Sequence, residues 1–262
     1  MIKNVLSSSL SLTPRAAPRA RGGNMICIAS GRGNIGKSWI AITLAGLLAQ
    51  KNKKILLFDG DLGLTNIDRQ LGILPPSLLD EVLLNRAPLN TIITDRGFDV
   101  IAGRSPQMSL PGMKAGALEL IKDDLLLLGA HYEAVVTDLG SNISKSVRFF
   151  TGNIGTLLLV VSQDQASLIN AAVLVKQLAD TDKSADIRLV VNDVSSKDEG
   201  EQIYQTALKA IQKTTALEPP LAGVILTDKH ISQAIAAKKP VLQAFPDSRA
   251  LHDVQTILDN LE

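Results

Sequence analysis

Eight consecutive residues of this sequence have the types and spacing needed to grip a polyphosphate. They are Gly31-Arg32-Gly33-Asn34-Ile35-Gly36-Lys37-Ser38, which fit G-x-x-x-x-G-K-[ST]. Glycines let the backbone curl until several N–H groups face one anion, and the start of a following helix adds partial positive charge. In that arrangement Gly31, Gly33, Asn34, Ile35 and Gly36 form the cradle, Lys37 reaches the β- and γ-phosphates, and Ser38 ligates Mg2+. Three acids extend the chemistry. Asp59 and Asp61 stand two residues apart at the end of one apolar run, and Asp138 ends another. Carboxylates at the tips of buried strands beside such a loop can hold Mg2+, directly or through water. Taken singly, each acid could equally cap a helix N-terminus.

These groups need rigid elements to hold them, and the pattern supplies strands alternating with helices. Met25–Ala29 reads as a strand that feeds the glycine-rich turn, and a helix runs from about Lys37 to Gln50. Lys54–Asp59 is a second strand, ending in the acids and a glycine-containing loop. Further strands are expected at Phe98–Ala102, Ala134–Asp138, Thr156–Ser162, Ile187–Asn192 and Ala222–Leu226. Helices are expected at Ala115–Leu128, Ala166–Ala179, Glu199–Lys213, His230–Ala237 and near Ser248–Leu261. This alternation predicts an α/β fold: a doubly wound, mostly parallel sheet with helices on both faces. Residues 25–262 read as one domain, with no internal repeat.

Composition excludes several other classes. The chain has 262 residues, 45% of them hydrophobic, so a sizeable core is available without staples. A single cysteine, Cys27, forbids internal disulfides and a cysteine-clustered metal site. His131, His230 and His252 lack metal-ligand spacing. No apolar run approaches the roughly 18 residues of a membrane-spanning helix. The expectation is a protein of a reducing, aqueous compartment. The 27 basic and 26 acidic residues hide an asymmetry: residues 1–24 carry Lys3, Arg15, Arg19 and Arg21 and no acid. That segment reads as a flexible basic arm; it also has the Arg/Ser-rich, acid-free character of a transit peptide. The single tryptophan, Trp39, falls in the first turn of the phosphate-loop helix. It is counted with the nucleotide-binding residues, packing being its plain reading.

The motifs also carry a resemblance. Ser30–Ser38 (SGRGNIGKS) resembles the deviant Walker A segment of the MinD/ParA ATPases, usually K-G-G-x-G-K-[ST]. Asp59–Ile73 (DGDLGLTNIDRQLGI) resembles the D-A-D-L-G-L-A-N-x-D-x-x-L-G-L segment of the FlhG/FleN (YlxH-like) flagellar-number regulators. Shorter matches at Val100–Gly103, Asp138–Ser144, Gln163–Asn170, Val190–Asn192, Gly223–Val241 and Phe245–Ser248 extend the likeness to almost everything after residue 24.

The resemblance implies a P-loop ATPase switch, a slow Mg2+-dependent ATP hydrolase cycling between ATP and ADP. ATP would be sandwiched in a homodimer that hydrolysis releases. Asp61 would position the attacking water, with Lys37 and Arg32 as the other catalytic groups. Ser38, Asp59 and Asp138 would hold Mg2+, and Asn192 would contact the base. Implied partners are an FlhF-like GTPase, a flagellar basal-body protein or a transcriptional regulator. The implied setting is cytoplasmic, at a pole or on a membrane periphery. The implied role is to set the place or number of a polar assembly, flagella first.

Departures from the family pattern bear on turnover. Arg32 stands where relatives carry the signature lysine that reaches the partner's phosphates, and a planar guanidinium is not an ammonium. Asn34 replaces a glycine, Asn142 a switch glycine, and Leu226 a proline near the adenine. The end of the chain has Asp247, Asp253, Asp259 and Glu262 against Arg249, a poor match to an anionic membrane, so membrane contact is expected to be weak or absent. Two alternatives remain beside the leading reading. One is a ParA-type segregation ATPase, disfavoured because no basic stripe for DNA stands out beyond the arm. The other is a nucleotide-bound scaffold with little or no turnover.

Overall fold

The computed structural model describes residues 24–61, 66–74, 93–95, 97–102, 116–141, 155–181 and 186–261. Within them eight strands form one sheet: β1 (Met25–Ser30), β2 (Ile55–Gly60), β3 (Ile93–Asp95), β4 (Asp99–Ile101), β5 (Ala134–Ser141), β6 (Thr156–Val161), β7 (Asp186–Val194) and β8 (Leu221–Leu226). Their spatial order is β3-β4-β2-β5-β1-β6-β7-β8. Every pairing is parallel except that of β3 with β4, a three-residue antiparallel edge. The expected mostly parallel sheet is therefore present. The central strands are apolar nearly end to end (ILLFDG in β2, TLLLVV in β6) because helices bury both faces, leaving no polar side to alternate with.

Among the described residues eight helices lie on the sheet: α1 (Lys37–Gln50), α2 (Ile67–Leu71), α3 (Ala117–Gly129), α4 (Gln165–Thr181), α5 (Lys197–Gln212), α6 (Lys229–Ala236), α7 (Val241–Ala244) and α8 (Arg249–Asp259). One core lies between the sheet and α3, α4 and α5; the other gathers α1, α2, α6, α7 and α8. Helix α5 shows why a helix forms there. Ser196 accepts the Glu199 N–H at 3.1 Å, Glu199 reaches back to the Ser195 N–H at 2.8 Å, and Gly200, Ile203, Ala207 and Ile211 make one buried stripe. Helix α1 differs: every residue from Lys37 to Leu48 is buried, so it has no solvent face.

Expected and observed elements agree closely, and α1 has the expected limits. Three short elements, β3, α2 and α7, were not expected. The segment after β2, expected as a loop, turns into α2. Asn24, expected to close the basic arm, belongs to the folded body: its amide donates to the carbonyls of Gly129 at 3.0 Å and Tyr132 at 2.9 Å. The rest of the arm and Asn142 lie outside the described residues.

At β8, the last strand of the sheet, side chains take three backbone groups. Asn260 donates to the Ala222 carbonyl at 2.8 Å, Lys197 to that of Val224 at 2.5 Å, and Asp253 accepts the Leu226 N–H at 2.9 Å.

Candidate functional site

β1 ends at Ser30, whose hydroxyl donates to the Arg32 carbonyl at 2.5 Å and starts the loop's curl. Gly31 is pressed onto α4. A Cβ there would sit 2.6 Å from the Asn170 Cβ and 2.8 Å from the Ala171 nitrogen, and Asn170 donates to the Gly31 carbonyl at 2.8 Å. Its glycine requirement is thus for close packing, not for contact with a ligand. Asn34 has a φ of 58°, a left-handed conformation that asparagine tolerates better than most residues, so this replacement of a glycine keeps the turn. Gly36 has a φ of 96°, and a Cβ on it would lie 2.4 Å from Asn192 Nδ2 and 2.6 Å from Trp39 Nε1. The loop then enters α1, whose first N–H groups face its hollow.

Lys37 and Ser38 open α1 beneath that hollow, both buried. Burial pushes the Lys37 ammonium below the usual lysine range, opposed first by Asp138 and then by Asp61. Asp138, expected to end its strand, lies inside β5 three residues before Ser141; it is raised to about 6 by burial, against the hydrogen bond from Ser38 and the charge of Lys37. Its Oδ1 is buried with no hydrogen-bond partner among the described residues. A buried, unsatisfied carboxylate oxygen beside a serine hydroxyl is a hard oxygen pair, which suits Mg2+. No cluster of three His, Cys, Asp or Glu forms among the described residues.

Asp59 behaves differently. It pairs across the sheet with Asp138 and is fully buried. Burial first and Asp138 second raise its carboxyl well above the usual range. It accepts the N–H groups of Asp61 at 3.2 Å and of Asn66 and Ile67 at 3.3 Å each. Those bonds anchor the turn into α2, the helix-capping reading that the sequence left open, and Asp59 fits a direct metal contact less well than Asp138. Asp61 lies half-buried over the β5 tip, where a Cβ on Gly140 would come within 2.9 Å of its Oδ1.

A cleft of about 620 Å3 runs over the loop. Gly33, Asn34, Ile35, Gly36, Lys37, Ser38, Trp39, Asp61 and Asn192 line it, whereas Gly31, Arg32, Asp59 and Asp138 do not. Asp138 lies beneath its floor with 1% of its surface exposed. Asn192 is committed by its donor: Nδ2 bonds the Ile35 carbonyl at 2.9 Å, which fixes the amide's orientation, and Oδ1 is buried without a partner among the described residues. Arg32 projects outward from the loop and forms an ion pair with Asp164 of the same chain.

The cleft's far wall is Leu226, noted in the sequence as standing near the adenine, with Asp193, Asp228 and Ile231, which sequence reasoning passed over. Asp193 has a φ of 64° and accepts the Thr227 hydroxyl at 2.8 Å. Asp228 caps α6 by accepting the His230 N–H at 2.9 Å and ties α8 through the Ala250 N–H at 3.0 Å. The only local signal was the T-D-x-H pattern of a cap.

A glycine-rich loop between β1 and a buried helix, at the C-terminal edge of a mostly parallel sheet and with an acid in the C-terminal half of the neighbouring strand, defines a P-loop nucleotide-binding fold. The family is shown directly: residues 26–241 match the CobQ/CobB/MinD/ParA nucleotide binding domain, and the chain belongs to that family. Over 232 residues it is 27% identical to the antiactivator FleN of Pseudomonas aeruginosa, covering 86% of this chain and 81% of that one. It is 26% identical over 226 residues to the flagellum site-determining protein YlxH of Helicobacter pylori, covering 85% and 76%. The fold is similar to that of the septum site-determining protein MinD of Pyrococcus horikoshii, solved with Mg-ADP. There the TM-score is 0.76 at 18% identity, covering 91% of this chain and 96% of that one. No helix among the described residues is long and apolar enough to cross a membrane.

Proposed function

We propose that residues 25–262 act as a single FlhG/MinD-like switch: an ATPase domain that dimerises on ATP, hydrolyses it slowly and thereby regulates the place or number of a polar assembly, flagella first. The observation that carries this reading is the convergence of Lys37, Ser38 and Asp138 with Asp61 at one mouth of the sheet. The likeness to FleN and YlxH supports the flagellar part. In this reading the loop N–H groups and Lys37 bind the β- and γ-phosphates. Ser38 and Asp138 would hold Mg2+, which when bound neutralises phosphate charge. Asp61 orients the attacking water, and positioning and charge stabilisation do the catalysis, as in other phosphoryl transfers. Trp39 and Asn192 keep the loop shaped. Arg32 would reach the phosphates of the other subunit. The partner would be an FlhF-like GTPase, a basal-body protein or a transcriptional regulator, met in the cytoplasm or at its membrane border.

The test is size analysis by light scattering with ADP, ATP and a slowly hydrolysed analogue, run beside a turnover assay. A dimer with ATP and the analogue, a monomer with ADP, and loss of the dimer in Lys37→Ala are expected. An unchanged ATP-dependent dimer in Lys37→Ala would count against the site.

A second reading, a nucleotide-bound scaffold with little turnover, draws on one observation: Arg32 is engaged within its own chain. Equal, background-level ATPase rates from the natural chain and Asp61→Ala, with ATP still bound, would favour it.

A further inference from the structure

The Arg32–Asp164 pair joins the phosphate loop to the start of α4 in a particular way. The two oxygens of Asp164 are divided between two tasks. Oδ1 accepts the Ser167 N–H at 3.1 Å, capping α4, and Oδ2 holds the Arg32 guanidinium. The loop backbone beside Arg32 is fixed to the same helix by the bond from Asn170 to the Gly31 carbonyl. Arg32 therefore rests on its own chain at the rim: Asp164 lines the cleft and Arg32 does not. Both side chains are well exposed, 52% for Arg32 and 39% for Asp164, so the pair is accessible and weak.

We propose that Asp164 is a latch that holds Arg32 in cis and so sets the threshold for ATP-dependent dimerisation. The inference rests on the dimer reading above and deepens it. A half-exposed carboxylate carries one charge and is already shared with a helix cap. A triphosphate held by a second copy presents more negative charge and several oxygens in the fork geometry that a guanidinium prefers. The exchange of Asp164 for a γ-phosphate is therefore downhill, whereas ADP, lacking that group, does not compete. Two latches open for each dimer formed. The carboxylate thus raises the concentration of triphosphate-bound chain at which dimers form.

The test is the dimer dissociation constant, measured by analytical ultracentrifugation with the slowly hydrolysed ATP analogue and with ADP. Asp164→Asn and Asp164→Ser both keep an α4 cap and remove the charge. Both are expected to tighten the analogue-bound dimer by about 2- to 30-fold, the range that two exposed ion pairs can hold back. In an Arg32→Ala background the same substitutions are expected to change nothing. A natural chain that dimerises with the analogue while both variants match it overturns the latch and leaves the dimer reading standing. Tightening that persists in the Arg32→Ala background also overturns it. If the natural chain and both variants stay monomeric with the analogue, the dimer reading fails and the latch with it.

Discussion

The amide of Asn192 donates to the carbonyl of Ile35 at 2.9 Å, joining the tip of β7 to the phosphate loop across 157 residues of chain. A carbonyl accepts and never donates, so this bond fixes which face of the amide meets the loop. Because Gly36 is wedged between Asn192 and Trp39, the far strand and the loop have one shared shape. Replacing Asn192 by Asp sets a carboxylate against that carbonyl. Nucleotide affinity should fall at least about tenfold, roughly the 1.4 kcal/mol or more that a lost buried bond costs. Fluorescent-ADP titration checks this, and unchanged affinity would show that the bond does not shape the loop.

The left-handed turn at Asn34 should tolerate glycine and resist alanine. Asn34→Gly is expected to leave ADP affinity within about twofold, while Asn34→Ala pays about 1 kcal/mol of backbone strain. Thermal denaturation of the two variants side by side reads the difference, and equal melting temperatures would contradict it.

Asp138 gives a pH signature in the nucleotide-free chain. Its folded value is raised from 3.8 to about 6, so between those values the folded state holds more protons than the unfolded one. Stability should then fall as pH rises from about 4 through 6, and Asp138→Asn should flatten that slope. At pH 7.5 the asparagine variant is expected to be more stable than the natural chain by about 1–3 kcal/mol, because no charge is buried, yet unable to support ATP turnover. Urea titrations across pH measure both. An unaltered slope in the variant would assign it to another group.

Cys27 lies within β1 with no exposed surface, and burial pushes its thiol up to about 12. At pH 8 almost no thiolate exists to attack a reagent. A disulfide-exchange reagent should therefore report no accessible thiol in the folded protein and one after denaturation. Rapid reaction in native buffer would mean that β1 opens locally.

Where the sequence held a local signal, the structure follows it. The G-K-S start and the apolar run behind it located α1 at Lys37–Gln50, and TLLLVV was short enough to read as a strand buried on both faces. The line-up of Gly33–Ser38 with Asp61 along one cleft was also readable, because parallel α/β sheets collect the C-terminal ends of their strands on one side. What escaped depended on distance or brevity. Helix α2 has five residues, too few for a period to show. Asp59 read as a metal acid beside Asp138, and nothing in its own run reveals that the chain returns to bond it at Asn66 and Ile67. The service of Gly31 to α4 is equally invisible, since Asn170 is brought to it only by the crossover through β6.

The three side-chain bonds along β8 have a consequence for the molecule in a crowded solution. The terminal strand of a parallel sheet is an open template, and any chain with free backbone groups can extend it. Here Asn260, Lys197 and Asp253 occupy the Ala222, Val224 and Leu226 positions of that template. A stray strand would have to displace three bonds, two of them made by side chains that also pair with each other, Lys197 and Asp253, before gaining its own. The β8 edge of the sheet is thus closed to filamentous growth by side chains of the same molecule.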